Sequence, residues 1–206
     1  MKLFLYVMNT LADWEIGYLT AEIRSRRFFS KENIPCDIIT VSSEKSEIKT
    51  MGGMRIVPDI EAAEMDIGDD DILVLPGSDE WMKSEHDAIL NLAKKRIDAD
   101  KAVAAICGAT AGLARVGALN EKDHTSNAME YLKYTCADYL GESRYVNSPA
   151  VNDRHLITAS GLSPLDFTCE ILKELRLFKP ETLSAWKMLN ETKDPGCFFE
   201  LMNSLK

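Results

Sequence analysis

The residue best placed to do chemistry in this chain is Cys107, at the end of the run Ala102-Val103-Ala104-Ala105-Ile106-Cys107-Gly108-Ala109-Thr110. Small and β-branched residues up to Ile106 read as a buried strand. The pattern from Gly108 onward reads as a helix. A strand that turns sharply into a helix with a nucleophilic side chain at the turn is the geometry of a nucleophile elbow. There the helix N-terminus offers backbone N–H groups and a positive dipole end that favour a thiolate. A plain buried cysteine in a packed strand is the alternative, because free cysteine is among the most buried residue types.

The elements that must position Cys107 follow from hydrophobic periodicity. Residues 3–8, 37–41, 72–75 and 103–107 are short apolar runs of strand length. Between them, Ile16, Leu19, Ile23 and Phe28, and then Ile89, Leu92, Ala93 and Ile97, recur at helical spacing. Alternating strands and helices imply parallel β-α-β units and a sheet covered on both faces. The expected fold is therefore α/β, a three-layer sandwich with a mostly parallel central sheet. Glycines before residues 54–58 suggest a small hairpin beside that sheet. Residues 145–151 and 156–158 read as two further strands around a turn at Asn152-Asp153-Arg154, followed by a helix over 164–175. Two more helices, over 183–189 and 197–205, form a C-terminal arm at about 178–206, broken at Asp194-Pro195-Gly196. There Trp186, Leu183 and Leu189 either cap the site or pack on the core.

In such a sheet, ligands sit beyond the carboxyl ends of the strands. Three segments meet that condition: the loop with Asp13 and Glu15, the loop Pro76-Gly77-Ser78-Asp79, and the elbow at Cys107.

The totals set the bounds. A chain of 206 residues without a Pro-, Gly- or Ser-rich linker is expected to form one domain. A net charge of −9 argues against a nucleic-acid or acidic-membrane partner. The basic cluster Arg24, Arg26 and Arg27 reads as a solvated helix face. Five widely spaced cysteines without a C-x-x-C pair suit reduced thiols in a cytoplasmic protein better than a disulfide framework or zinc site. Residues 2–8 are at the short limit for a signal peptide, and Asp13-Trp14-Glu15 does not resemble a cleavage site. No metal cluster, phosphate loop or dinucleotide fingerprint is apparent, so no cofactor is expected.

Taken in order, these segments resemble the ThiJ/PfpI superfamily, within the class I glutamine-amidotransferase-like, flavodoxin-like fold. The anchors are Asp13-Trp14-Glu15, Leu75-Pro76-Gly77, Ala105-Ile106-Cys107-Gly108-Ala109, Gly117-Ala118-Leu119 and Leu156-Ile157-Thr158-Ala159-Ser160-Gly161, spread over roughly residues 2–175. The resemblance implies that Cys107 is the reactive nucleophile. It implies that Glu15 is the acidic residue that hydrogen-bonds its sulfur, which needs a protonated carboxyl and so a raised pKa. The alternative for Glu15 is a first-turn acid that favours the helix dipole. Backbone N–H groups of Gly77 and Gly108 are then expected as oxyanion donors. A homodimer and a small-molecule substrate are also implied.

The departures from the pattern are as informative. Gly108 stands where one branch has a histidine after the nucleophile. Asn127 stands where another branch has a later one. None of His86, His124 or His155 begins a His-x-Glu. A true glutaminase or protease is therefore disfavoured. His124, three residues before Asn127, approaches Cys107 only if its segment bends, because residues three apart on a strand face opposite sides. His86 and His155 read as structural or solvent-exposed. The loop with Asp79, Glu80 and Trp81 is expected to shape the pocket.

Three functions follow from these residues. One is a cysteine-dependent hydrolase/amidase or glyoxalase-like enzyme for a small reactive carbonyl or amide. Another is a redox-responsive stress protein whose Cys107 is oxidised. The third is a catalytically inactive relative.

Overall fold

Strict alternation along the strands organises the molecule. In the computed structural model, which describes residues 1–31 and 34–206, Leu3, Leu5, Ile72, Val74, Ala104, Ile106, Ile157 and Ala159 face one core. Phe4, Tyr6, Leu73, Leu75, Val103, Ala105 and Leu156 face another. This period-two division is what a pleated strand buried on both faces produces.

The strands are β1 (Lys2–Tyr6), β2 (Asp37–Ser42), β3 (Ile48–Lys49), β4 (Arg55–Ile56), β5 (Ile60–Glu61), β6 (Ile72–Leu75), β7 (Val103–Ile106), β8 (Ala150–Asp153) and β9 (Leu156–Ala159). The helices are α1 (Asp13–Ser25), α2 (Asp87–Asp98), α3 (Gly108–Arg115), α4 (Met129–Thr135), α5 (Pro164–Glu174), α6 (Pro180–Thr192) and α7 (Pro195–Ser204). Seven strands form a sheet in the order β5-β2-β1-β6-β7-β9-β8, parallel except where β8 joins β9. Helices α1, α5, α6 and α7 contribute to the first core, and α2, α3 and α4 to the second. This is the expected mostly parallel, flavodoxin-like sandwich. The order reverses between β1 and β6, which places a crevice at their carboxyl ends. Glu15, Gly77 and Cys107 all follow strands that end there.

The small hairpin β3–β4 has a positional role. Its turn is fastened to the loop after β1 by Met51 N–H donating to Leu11 O at 2.9 Å, and by Gly52 N–H donating to Asp13 Oδ2 at 2.6 Å. The start of α1 is thereby held in place.

Three expectations change. The strand expected over 145–151 begins only at Ala150. Tyr145 instead makes an isolated bridge to His124, so the apolar pair Tyr145-Val146 docks against that neighbouring segment. The hairpin turn also moves from Asn152-Asp153-Arg154 to Arg154-His155. Their φ angles of 47° and 69° are the positive values that a two-residue hairpin turn demands. The expected solvated face of Arg24, Arg26 and Arg27 is partly engaged, because Arg27 pairs with the buried Glu22 and Arg26 with Asp37 at 3.0 Å.

In the C-terminal arm, the packing alternative holds. Trp186 is 1% exposed, its indole N–H donates to Glu22 Oε1 at 3.0 Å, and its ring stands edge-on to Tyr18 of α1. The arm packs on α5 and, through Trp186, on α1, and Leu183 and Leu189 join the first core.

Candidate active site

Cys107 sits between β7 and α3 with φ 57° and ψ −123°, outside the usual range for a residue with a side chain. The backbone is over-determined at that point: Cys107 N–H donates to Ala159 O at 3.0 Å, and Cys107 O accepts from Thr110 N–H at 3.1 Å and from Thr110 Oγ1 at 2.6 Å. Such a locally strained residue is a recurrent property of functional sites. Cys107 is half-buried, whereas Cys36, Cys136, Cys169 and Cys197 are buried.

Glu15, on the first turn of α1, is fully buried. Its Oε2 accepts the Gly77 N–H at 2.6 Å, and its Oε1, buried without a hydrogen-bond partner, faces the Cys107 side chain beside Gly161. Burial pushes its pKa up from 4.5 to about 7, against the opposing effects of the Gly77 N–H and Cys107. The space between the two side chains is set by glycines. A Cβ at Gly77 would lie 2.6 Å and 2.7 Å from the Glu15 oxygens, and one at Gly161 would lie 2.7 Å from Cys107 Sγ. No larger residue allows this approach without displacement.

Asn127 completes the group. Its Nδ2 donates to Cys107 Sγ at 3.2 Å, while its Oδ1 accepts Gly161 N–H at 2.8 Å. The second bond fixes the amide orientation, because only the oxygen can accept from a backbone N–H. The residue at the position of the missing histidine is thus a hydrogen-bond donor to sulfur and cannot serve as a base.

Burial, and next the Glu15 carboxylate, push the Cys107 thiol up to about 11, opposed by Asn127 and the Gly108 N–H. A resting thiolate, expected from the helix N-terminus alone, is therefore not what the site favours. The resting pair is a thiol beside a carboxyl group that titrates near neutrality.

The remaining expected residues fall into place as follows. The Gly77 N–H is engaged with Glu15, so its role is to hold the acid and not to serve as a free oxyanion donor. The Gly108 N–H faces the cysteine sulfur. His124 is fully buried with both ring nitrogens used: Nδ1 lies 2.7 Å from Lys122 O and Nε2 lies 2.6 Å from Tyr139 Oη. A carbonyl only accepts, so Nδ1 carries the proton and Nε2 accepts from the phenol. Burial holds this imidazole below its ordinary pKa, and its contacts are structural. Trp81 is buried against Tyr6 and donates to Pro76 O at 2.8 Å, bracing the Gly77 loop from behind. Two residues of the rim escaped the sequence reading. Trp14 is half-exposed and donates to Gly161 O at 3.0 Å, and Leu162 is almost fully exposed. The position of Trp14 between Asp13 and Glu15 was the available signal.

Residues 1–174 match the DJ-1/PfpI family. The chain belongs to the DJ-1/PfpI family. Among curated relatives of this family, it is 45% identical over 204 residues to a Bacillus subtilis protein named uncharacterized protease YoaZ, covering 99% of this chain and 97% of that protein. Among solved structures, it resembles a ThiJ/PfpI family protein of Bacillus anthracis with a TM-score of 0.96 at 47% identity, covering 100% and 97% of the two chains. A DJ-1 superfamily protein of Agrobacterium tumefaciens superposes with a TM-score of 0.80 at 31% identity, over 94% of this chain and 100% of that one. The two Bacillus relatives extend over α6 and α7 as well as the sandwich.

Proposed function

We propose that this protein is a cysteine-dependent enzyme of the hydrolase/amidase or glyoxalase-like kind. It acts on a small reactive carbonyl or amide, with Cys107 as nucleophile and Glu15 as proton acceptor and donor. The observation that carries this reading is the enclosure of the Cys107 sulfur between the Glu15 carboxyl and Asn127 Nδ2. A carboxylate that titrates near 7 is matched to proton transfer at neutral pH.

In the first step, sulfur bonds to the carbonyl carbon while the thiol proton passes to Glu15. The carbonyl π pair moves to oxygen, and Glu15 returns the proton to that oxygen, giving a hemithioacetal with no net change in charge. Asn127 Nδ2 and the Gly108 N–H stabilise the negative charge on sulfur as it develops. An aldehyde suits the site better than an amide, because no amine leaving group has to be protonated. With an α-oxoaldehyde, an internal hydride shift from the hemithioacetal carbon to the neighbouring carbonyl carbon gives a hydroxy-acyl thioester, oxidising one carbon and reducing its neighbour without an external redox partner. Water then adds to the thioester carbonyl, the C–S bond breaks, and the hydroxy acid leaves as the thiol is restored. The reading includes a homodimer in the cytoplasm, checked by sedimentation and fractionation.

The test is methylglyoxal consumption and lactate formation followed by NMR, alongside release of nitroaniline from small anilides. Wild-type turnover is expected to vanish in Cys107→Ala and to fall about a hundredfold or more in Glu15→Gln. Turnover retained in Cys107→Ala, or absent from the wild type with every carbonyl and amide, overturns the proposal.

A second reading has one observation in its favour: Cys107 alone of the five thiols is not buried. Peroxide would transfer oxygen to its sulfur, first to sulfenic acid and then, with a second equivalent, to sulfinic acid, releasing water each time. Selective addition of two oxygens at Cys107, in a protein without turnover, favours that reading.

A further inference from the structure

A polar cavity of about 290 Å³, separate from the cysteine, opens beyond the ends of β1 and β2. It is lined by Ser42, Ser43, Glu44, Glu80, Glu85 and His86 among others, with no lysine or arginine in its wall. His86 is 1% exposed, and its Nδ1 lies 2.9 Å from the Tyr6 hydroxyl. Its Nε2 is buried without a hydrogen-bond partner, 3.3 Å from Glu85 Oε1 but not aligned to bond it. An unsatisfied buried ring nitrogen is costly and calls for an explanation. The ligand atoms of Glu80, Glu85 and His86 all lie within 4.8 Å of one another.

We infer that Glu80, Glu85 and His86 bind a divalent transition-metal cation of the zinc type, through His86 Nε2 and one oxygen from each carboxylate. One imidazole and two carboxylates are a donor set that suits such an ion. Ligands about 2.1 Å from a tetrahedral ion stand about 3.4 Å apart. The His86–Glu85 separation of 3.3 Å already meets this. The remaining contraction is between Glu80 and the other two ligands, whose atoms all lie within 4.8 Å of one another. Tyr6 supports the assignment: with Nδ1–H donating to the phenol oxygen, Nε2 presents its lone pair to the carboxylates, the usual orientation of a ligand histidine. The edge of the Tyr6 ring faces His86, and Trp81 packs beside it, so the imidazole is held before any ion arrives. Lys83 now pairs with Glu80 at 2.7 Å. Its half-exposed side chain can swing into solvent when the ion takes its place.

The sequence carried no metal-ligand spacing that suggested this site. Glu85 and His86 are adjacent, and only the short turn before α2 directs both side chains toward Glu80.

The experiment titrates chelator-treated, full-length protein with zinc chloride by calorimetry. One equivalent is expected to bind, with Glu80→Gln and Glu85→Gln each weakening affinity roughly tenfold or more. His86→Gln should do the same. Because His86 is buried and its variant can misfold, the glutamate variants, above all that of the half-exposed Glu85, keep the test decisive. Cys107→Ser should leave the affinity unchanged. Loss of binding in Cys107→Ser with retention in both glutamate variants would put the ion at the cysteine and overturn the inference, as would the absence of saturable binding.

Discussion

Replacing Glu15 with glutamine tests the central pair without disturbing its shape. Glutamine is isosteric with the protonated acid: its oxygen can accept the Gly77 N–H and its NH₂ can face the sulfur. In the wild type, burial raises the Glu15 pKa from 4.5 to about 7. A shift of roughly 2.5 units corresponds to about 3 kcal/mol between the two protonation states. Because the folded pKa is raised, the native state binds more protons than the unfolded state between pH 4.5 and 7. Stability from this group is therefore fully present below pH 4.5 and is lost as pH rises through about 7. Glu15→Gln should match the wild type near pH 4 and exceed it by up to about 3 kcal/mol at pH 8. Urea unfolding at several pH values measures the difference, and taking it between the two proteins cancels other titrating groups. A difference that stays flat from pH 4 to 8 refutes the buried-acid argument, and one of opposite slope means that the Gly77 N–H outweighs burial.

Other expectations follow from the same geometry. Gly161→Ala would bring a Cβ to 2.7 Å from Cys107 Sγ and 3.1 Å from Glu15 Oε1; overpacking of this kind costs about 1–3 kcal/mol, and thermal melting together with loss of turnover should register it. Asn127→Leu removes the sulfur's donor and should raise the Cys107 pKa further, slowing iodoacetamide alkylation at pH 8 as read by peptide mass spectrometry; unchanged alkylation would show that the 3.2 Å contact is idle. Trp186→Phe leaves Glu22 Oε1 without its indole donor and should destabilise the fold by about 1–3 kcal/mol in chemical denaturation, with Arg27 limiting the loss.

The sandwich was legible because its strands are short, apolar and separated by helical repeats, and because both faces are buried. Cys107 was legible for a local reason: a strand ends and a helix begins around one residue. The role of Gly77 was not, since its N–H meets a carboxylate 62 positions earlier in the chain. Asn127 could be seen as a departure, but its use as a donor depends on Gly161, which orients the amide from another loop. His124 was ambiguous for the same reason, until Tyr139 and the Lys122 carbonyl accounted for both ring nitrogens. The thiol's raised pKa was hidden too, because a helix N-terminus is visible in sequence whereas desolvation is a property of the assembled fold.

The bond between Trp186 and Glu22 spans 164 positions of the chain and bears on how the protein is made. Domains tend to acquire structure as units while synthesis proceeds from the N-terminus. Here the helix that aims Glu15 at the sulfur keeps one carboxylate oxygen without its indole partner until α6 has emerged from the ribosome. A nascent chain long enough to hold every residue of the cysteine site still lacks the tryptophan that stands edge-on to Tyr18 and bonds Glu22. The last support of the helix that carries Glu15 is therefore added only when the C-terminal arm is made.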